Sequence, residues 1–248
     1  MSTQKASTTP ATRVGAAASS PPKRRSRSTG ARLDPQARRR QILDAAISYF
    51  SEAGFGVQTR ELTRRIGVSQ PLLYRYFPSK QDLIEAVFEE VFLSRLRDEW
   101  VTQLRDRGVP LRERLMRFYL QYGKMTYRPE WIRIYMYAGL AGERLNRDYL
   151  ALVRSRLLST MCQEFREEFL DARQRAQAGP IAAREIELLW NLHGSMFYWA
   201  VRHNIFGARA GIAFEARTAD AVDLFLAGAE KLYASIVARS PRPTKPPR

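Results

Sequence analysis

From Asp34 to Ala238 the apolar residues recur at intervals of three and four, and nowhere do Val, Ile or Thr alternate with polar residues over the length of a strand. Leucine, alanine, arginine and glutamate dominate, so the pattern predicts helices throughout. The first runs from Asp34 or Pro35 to Ala53. Asp34 suits an N-cap, Pro35 a first helical residue, and Ile42, Ala46, Tyr49, Phe50 and Ala53 form one buried stripe. Gly54 is placed to stop it. A short helix over 59–66, a turn at Gly67-Val68-Ser69 and another short helix from Gln70 to about Tyr76 follow. Pro78 breaks the last of these, and Ser79 is a plausible N-cap for a long helix to about Arg105. Further helices are predicted over 110–127, 129–140, 144–176, 180–206 and 213–238, separated by stretches containing Gly or Pro.

Composition narrows the classes. At 248 residues, 45% hydrophobic and 27% charged, the chain has an ordinary globular composition and room for a large core. No run of 18 uncharged apolar residues is present and no secretory signal is recognisable, so neither a membrane partner nor export is expected. The single cysteine, Cys162, cannot make an internal disulfide and fits a reducing cytosol. With His193 and His203 scattered from it, no metal site and no cofactor are expected. The phosphate-binding, zinc-protease and serine-nucleophile motifs are missing too, and no catalytic residues are predicted.

The net charge of +16 is unevenly spread. Residues 1–32 carry seven basic and no acidic residues, and residues 239–248 another four with none. Residues 33–80 hold eight basic against four acidic, whereas 81–238 are almost balanced at 22 against 21. A polyanion bound near the N-terminus follows naturally. The two tails, rich in Ser, Pro and Arg, are expected to be disordered. The basic run from Lys23 to Arg27 either adds unspecific attraction or tracks a minor groove.

Two short helices joined by a tight glycine turn, close behind a longer amphipathic helix, form a helix-turn-helix pattern. Its details are specific: Ile42-Leu43-Asp44-Ala45-Ala46 with Phe50 and Gly54-Phe55, then Thr59-Arg60-Glu61-Leu62 and Gly67-Val68-Ser69. Leu73-Tyr74-Arg75-Tyr76-Phe77-Pro78-Ser79-Lys80 and Leu83 complete the set. In these residues the segment 38–92 resembles the N-terminal DNA-binding domain of the tetracycline-repressor (TetR) family of bacterial transcription regulators. The chemistry agrees. Gln70 and Pro71 open the third helix, where a recognition helix meets base edges; Gln can pair with adenine and the proline ring can touch a thymine methyl. Arg60 can reach guanine or a phosphate, and Thr59, Tyr74, Tyr76 and Lys80 carry donors suited to phosphate oxygens. Leu72 departs from the small polar residue some members place there, leaving it at most a methyl contact. Arg38, in the run Arg38-Arg39-Arg40, either touches phosphate or solvates a helix face.

The fold class is therefore all-α: a three-helix helix-turn-helix domain over 33–80 and a helical-bundle domain for effector binding and dimerisation over 81–238. In the latter, Leu189, Met196 and Ala200 on one helix and Leu224, Phe225, Gly228 and Leu232 on the next are candidates for a two-fold interface with a second copy. The single-chain alternative is that these helices are central to one domain. An aromatic and methionine set, with Phe118, Tyr122, Met125, Trp131, Tyr135, His193 and Phe197 foremost, reads either as packing or as a pocket for a flat or hydrophobic small molecule. The resemblance implies a cytoplasmic homodimer, bound to the nucleoid, that represses by occupying a palindromic site on double-stranded DNA until an effector releases it. A DNA-binding protein without a small-molecule effector, controlled by a protein partner or organising the nucleoid, is the alternative.

Overall fold

A computed structural model of the chain describes residues 34–142, 144–209 and 211–239, and among these every regular element is helical. The expectations for the tails 1–32 and 240–248 lie outside the described residues. The order is α1 (Pro35–Ala53), α2 (Thr59–Ile66), α3 (Gln70–Tyr76), α4 (Lys80–Val91), α5 (Asp98–Arg105), α6 (Leu111–Thr126) and α7 (Pro129–Leu140). Then come α8 (Arg144–Leu152), α9 (Ser159–Phe169), α10 (Ala172–Gln177), α11 (Ala183–Asn204) and α12 (Phe214–Ala238).

The predicted stripe on α1 is buried at Ile42, Ala46, Tyr49 and Phe50, joined by Leu43, while Ala53 is exposed in the last turn. This stripe packs on α2, α4 and α7. Gly54 ends α1 with a φ of 73°, a left-handed turn that favours glycine. A β-carbon there would also stand 3.0 Å from the Tyr137 ring of α7. Tyr137 Oη donates to the Glu52 carbonyl at 3.3 Å, so the end of α7 grips the end of α1.

Two predicted helices are broken. The helix expected to run to Arg105 is interrupted by a 3₁₀ turn at Leu93–Arg95 and an extended Leu96. Tertiary contact accompanies the break: Arg95 Nη1 donates to the Met125 carbonyl at 2.8 Å. The helix expected over 144–176 passes through a π-helical segment, Val153–Leu158, and ends at Phe169. Leu170 is extended, and Asp171 caps α10 reciprocally with Gln174.

Two buried carboxylates hold the larger part together. Glu164 on α9 meets Arg107 at 2.9 Å and Arg114 of α6 at 2.8 Å. Burial raises the Glu164 pKa, but the two guanidiniums outweigh it and hold the carboxyl below its ordinary range. Glu185 on α11 is bound by Arg166 at 2.6 Å and accepts from Tyr233 Oη of α12 at 3.0 Å. Cys162 is fully buried beside them, and burial pushes its thiol up to about 12, which makes it an inert packing residue.

Candidate nucleic-acid interface

The helix-turn-helix is built by capping chemistry. Gly67 closes α2 at a φ of 71°, and the chain returns through Val68, whose N–H donates to the Thr63 carbonyl at 3.0 Å. Ser69 caps α3, its hydroxyl accepting from the Leu72 N–H at 3.3 Å, with Pro71 in the first turn where its missing N–H costs nothing. Leu62, Leu73 and Phe77 are buried between the helices and fix their angle. Ser79 and Asp82 form a capping box that starts α4 directly after Pro78.

On the outer side lies a row of unburied polar groups. Gln70 and Pro71 are exposed at the start of α3. Tyr74 is 40% exposed, and its hydroxyl is hydrogen-bonded to Thr59 Oγ1 at 3.0 Å, which places the start of α2 beside the middle of α3. Leu72 and Tyr76 are half-buried, and Tyr76 packs on the core below α3. Arg38 is half-buried and donates to Gln41 at 2.7 Å.

The arginines of this region divide into two groups. Arg40 is held by Asp44 at 2.9 Å and Glu90 at 2.8 Å, Arg64 by Glu61 at 2.7 Å, and Arg65 by Glu52 at 2.7 Å. Arg60, Arg75 and Lys80 make no ion pair among the described residues, and Arg39 lies over the Phe77 ring at 4.9 Å. Arg75, exposed on α3, was not among the residues singled out from sequence. Its signal in the sequence is its place within the Leu73–Lys80 string, between two tyrosines.

The expected pocket residues meet in the interior. Tyr122 lies 5.4 Å from Phe118 and 5.1 Å from His193 between ring centroids. Trp131 stacks on Tyr135 at 5.1 Å, and Phe197 stands 5.3 Å from Tyr135. Met125 is half-buried at the margin. These rings fill the core by touching one another. Several polar atoms among them have no partner: His193 Nδ1, Trp131 Nε1, Tyr127 Oη and Trp100 Nε1. Burial lowers the pKa of His193 to about 4, so the imidazole is neutral.

The expected interface set needs correction on α11. Leu189, Met196 and Ala200 are fully buried within the chain and cannot meet a second copy without unpacking it. The outward face of α11 instead carries Leu188, Asn191, Ser195 and Tyr198. On α12, Leu224 is 79% and Leu232 54% exposed, and with Phe225 and Gly228 they border a groove shared with α11. A β-carbon at Gly228 would meet nothing within 4 Å, so that side of α12 is open.

Comparison with known proteins bears on this arrangement. Residues 42–87 match the model of the bacterial regulatory proteins of the tetR family. The chain is 31% identical over 160 residues to the HTH-type transcriptional regulator BetI of Escherichia coli strain S88, a match covering 62% of this chain and 80% of that protein. It is 30% identical over 88 residues to the class D tetracycline repressor of Escherichia coli, covering 32% of this chain and 40% of the repressor. Among solved structures, a TetR-like regulator from Rhodococcus sp. RHA1 superposes with a TM-score of 0.59 at 22% identity, covering 79% of this chain and all of that one. A tetR-family regulator from Streptomyces coelicolor gives 0.54 at 19% identity, over 84% and 89% of the two chains. At these identities the structures speak to the fold.

Proposed function

Because this chain belongs to the tetR family of bacterial regulatory proteins, we propose that it is a cytoplasmic transcriptional repressor that binds a palindromic DNA site as a homodimer. The observation that carries the reading is the exposed start of α3, flanked by cations without carboxylate partners. Gln70 and Pro71 face base edges in the major groove, and Arg60 and Arg75 reach bases or phosphates. Thr59, Tyr74 and Lys80 hold the backbone and fix register. Arg40, Arg64 and Arg65 are already neutralised by their neighbours and stay out of the contact.

The partner is a second copy of the chain, seated on the groove between α11 and α12. A two-fold axis there lets Leu224 and Leu232 cover each other's neighbours, removing large exposed leucines from water. The effector is a small flat molecule that enters by parting the interior rings, which touch one another in its absence. Unpartnered buried polar atoms cost about 1–3 kcal/mol each, so a ligand that satisfies Tyr127 and His193 recovers that free energy. With His193 neutral, an uncharged ligand meets no charge there, and the Tyr127 hydroxyl offers it a hydrogen-bond partner. It acts on DNA binding only as far as it prefers one dimer geometry over the other.

The test is a pair of substitutions read by binding to the cognate site and to random duplex. Gln70→Ala should cost roughly 1–3 kcal/mol on the cognate site and relax its sequence preference. Lys80→Ala should weaken all sequences alike and flatten the salt dependence. Equal effects of the two on random DNA would contradict the assigned roles.

A further inference from the structure

A crevice of about 200 Å³ opens where α1, α4 and α7 meet, bordered by Arg40, Asp44, Glu90, Arg95, Arg128, Glu130 and the edge of the interior ring set at Trp131. We propose that it is a site for a small anion, a tetrahedral oxyanion or a carboxylate, held by Arg95, Arg128 and the indole N–H of Trp131.

The charges around the crevice are not equally committed. Arg40 is saturated, bonded to Asp44 at 2.9 Å and to Glu90 at 2.8 Å, and it engages both of those carboxylates in turn. Glu130 stands 3.9 Å from Arg128 Nε, beyond hydrogen-bond length, so that guanidinium keeps its donors free for something closer. Arg95 has no carboxylate partner among the described residues; one of its nitrogens donates to the Met125 carbonyl at 2.8 Å. A half-buried guanidinium with five donors and one acceptor is under-satisfied. Burial first, then the Arg128 charge, lower the Arg95 pKa, with Glu90 and Glu130 opposing them more weakly. Two guanidiniums brought together at a partly dry position repel unless a negative group stands between them.

Trp131 supplies the independent observation. It is 2% exposed, it borders the crevice, and its Nε1 is buried without an acceptor. An indole N–H is a donor only, and the Trp131 ring that carries it borders the same crevice as the two guanidiniums. An oxyanion or carboxylate is the chemical group that accepts from all three. The volume admits such an ion with its nearest waters and is too small for a drug-sized molecule. Because Arg95 closes the end of α4 and Arg128 precedes α7, a bound anion links those two elements beside α1.

The proposal concerns a ligand at this junction and does not rest on the DNA-binding reading. The chain carries four tryptophans, and the Trp131 indole signal is identified in the ¹H–¹⁵N spectrum as the one that Trp131→Phe removes. Sodium phosphate, sulfate and acetate are then titrated against chloride at constant ionic strength. The expected result is a saturable movement of the Trp131 signal by at least one of them, and the arm that saturates tells a tetrahedral oxyanion from a carboxylate. Arg95→Gln and Arg128→Gln should each weaken the binding about tenfold or more, since each removes a charge-assisted contact. Arg128 is mostly exposed, so its substitution tests the site even if Arg95→Gln fails to fold. Lys124→Gln, outside the crevice, should change nothing. A Trp131 signal that stays still or drifts without saturating with every anion, or equal binding by Arg128→Gln, would overturn the assignment.

Discussion

Glu164→Ala should lower the stability of the protein by about 3–5 kcal/mol, because it strands a guanidinium inside the fold. Glu164 and Arg114 are each almost wholly shielded from water, and the contact between them is 2.8 Å. Removing the carboxylate leaves Arg114 buried on α6 with the Leu104 carbonyl as its remaining acceptor. Arg107, the second partner, is more than half exposed and simply returns to solvent, so the loss falls on Arg114. For a chain of this size the melting temperature should fall by about 10 °C. The variant Glu164→Ala with Arg114→Leu should recover much of the loss, since it replaces a stranded charge by apolar packing. Thermal unfolding followed by circular dichroism reads both. If the double variant is no more stable than the single one, the buried charge is not the cause.

Acidification should destabilise the fold in a window set by His193. Its pKa is lowered by burial to about 4, against an ordinary value of 6.5, so the unfolded chain binds the extra proton first. Stability therefore rises with pH through this interval, is fully present above about 6.5, and is lost as pH falls towards 4. The depression corresponds to about 3 kcal/mol over the whole window. His193→Phe cannot take up a proton, and denaturant unfolding of that variant between pH 7 and 4 should show a correspondingly flatter curve. An unchanged slope would mean that the imidazole is not the titrating group. Glu164 contributes lower down: its carboxyl is held below the ordinary carboxylate range, so its share is lost only as pH falls through that lowered value.

The helix-turn-helix was legible because its boundaries are written in residues with strict local demands. Gly67 takes the left-handed φ that ends α2, Ser69 and Ser79 cap the next two helices, and Pro78 forbids their fusion. The breaks in the remainder have no such marks. At Leu93–Leu96 there is neither Gly nor Pro, and the turn goes with a reach of Arg95 to a carbonyl 30 positions away. Between Phe169 and Ala172 only the Asp171–Gln174 box signals a new start, and the stretch has neither Gly nor Pro to mark the break.

The faces of α11 failed for a different reason. Periodicity finds apolar stripes but not their partners, and α11 has two adjacent ones, Leu189-Met196-Ala200 and Ile186-His193-Val201, that both enter the chain's own core. Its outward face mixes Leu188 with Asn191 and Ser195 and looked unremarkable in sequence. On α12 the same ambiguity resolved the other way: Val222, Ala229 and Tyr233 turn inward and the Leu224 stripe turns out. The aromatic set showed a related limit. Sequence marked Phe118, Tyr122 and Trp131 as core or pocket, and their unpartnered polar neighbours become visible only when hydrogen bonds are traced.

The most direct test of the central claim is selection of bound sequences from random duplex DNA by the whole 248-residue chain at physiological salt. The account predicts a palindromic consensus whose half-sites are one helical turn apart or a multiple of it, each read by one α3. Binding without any consensus, driven by charge alone, would contradict it.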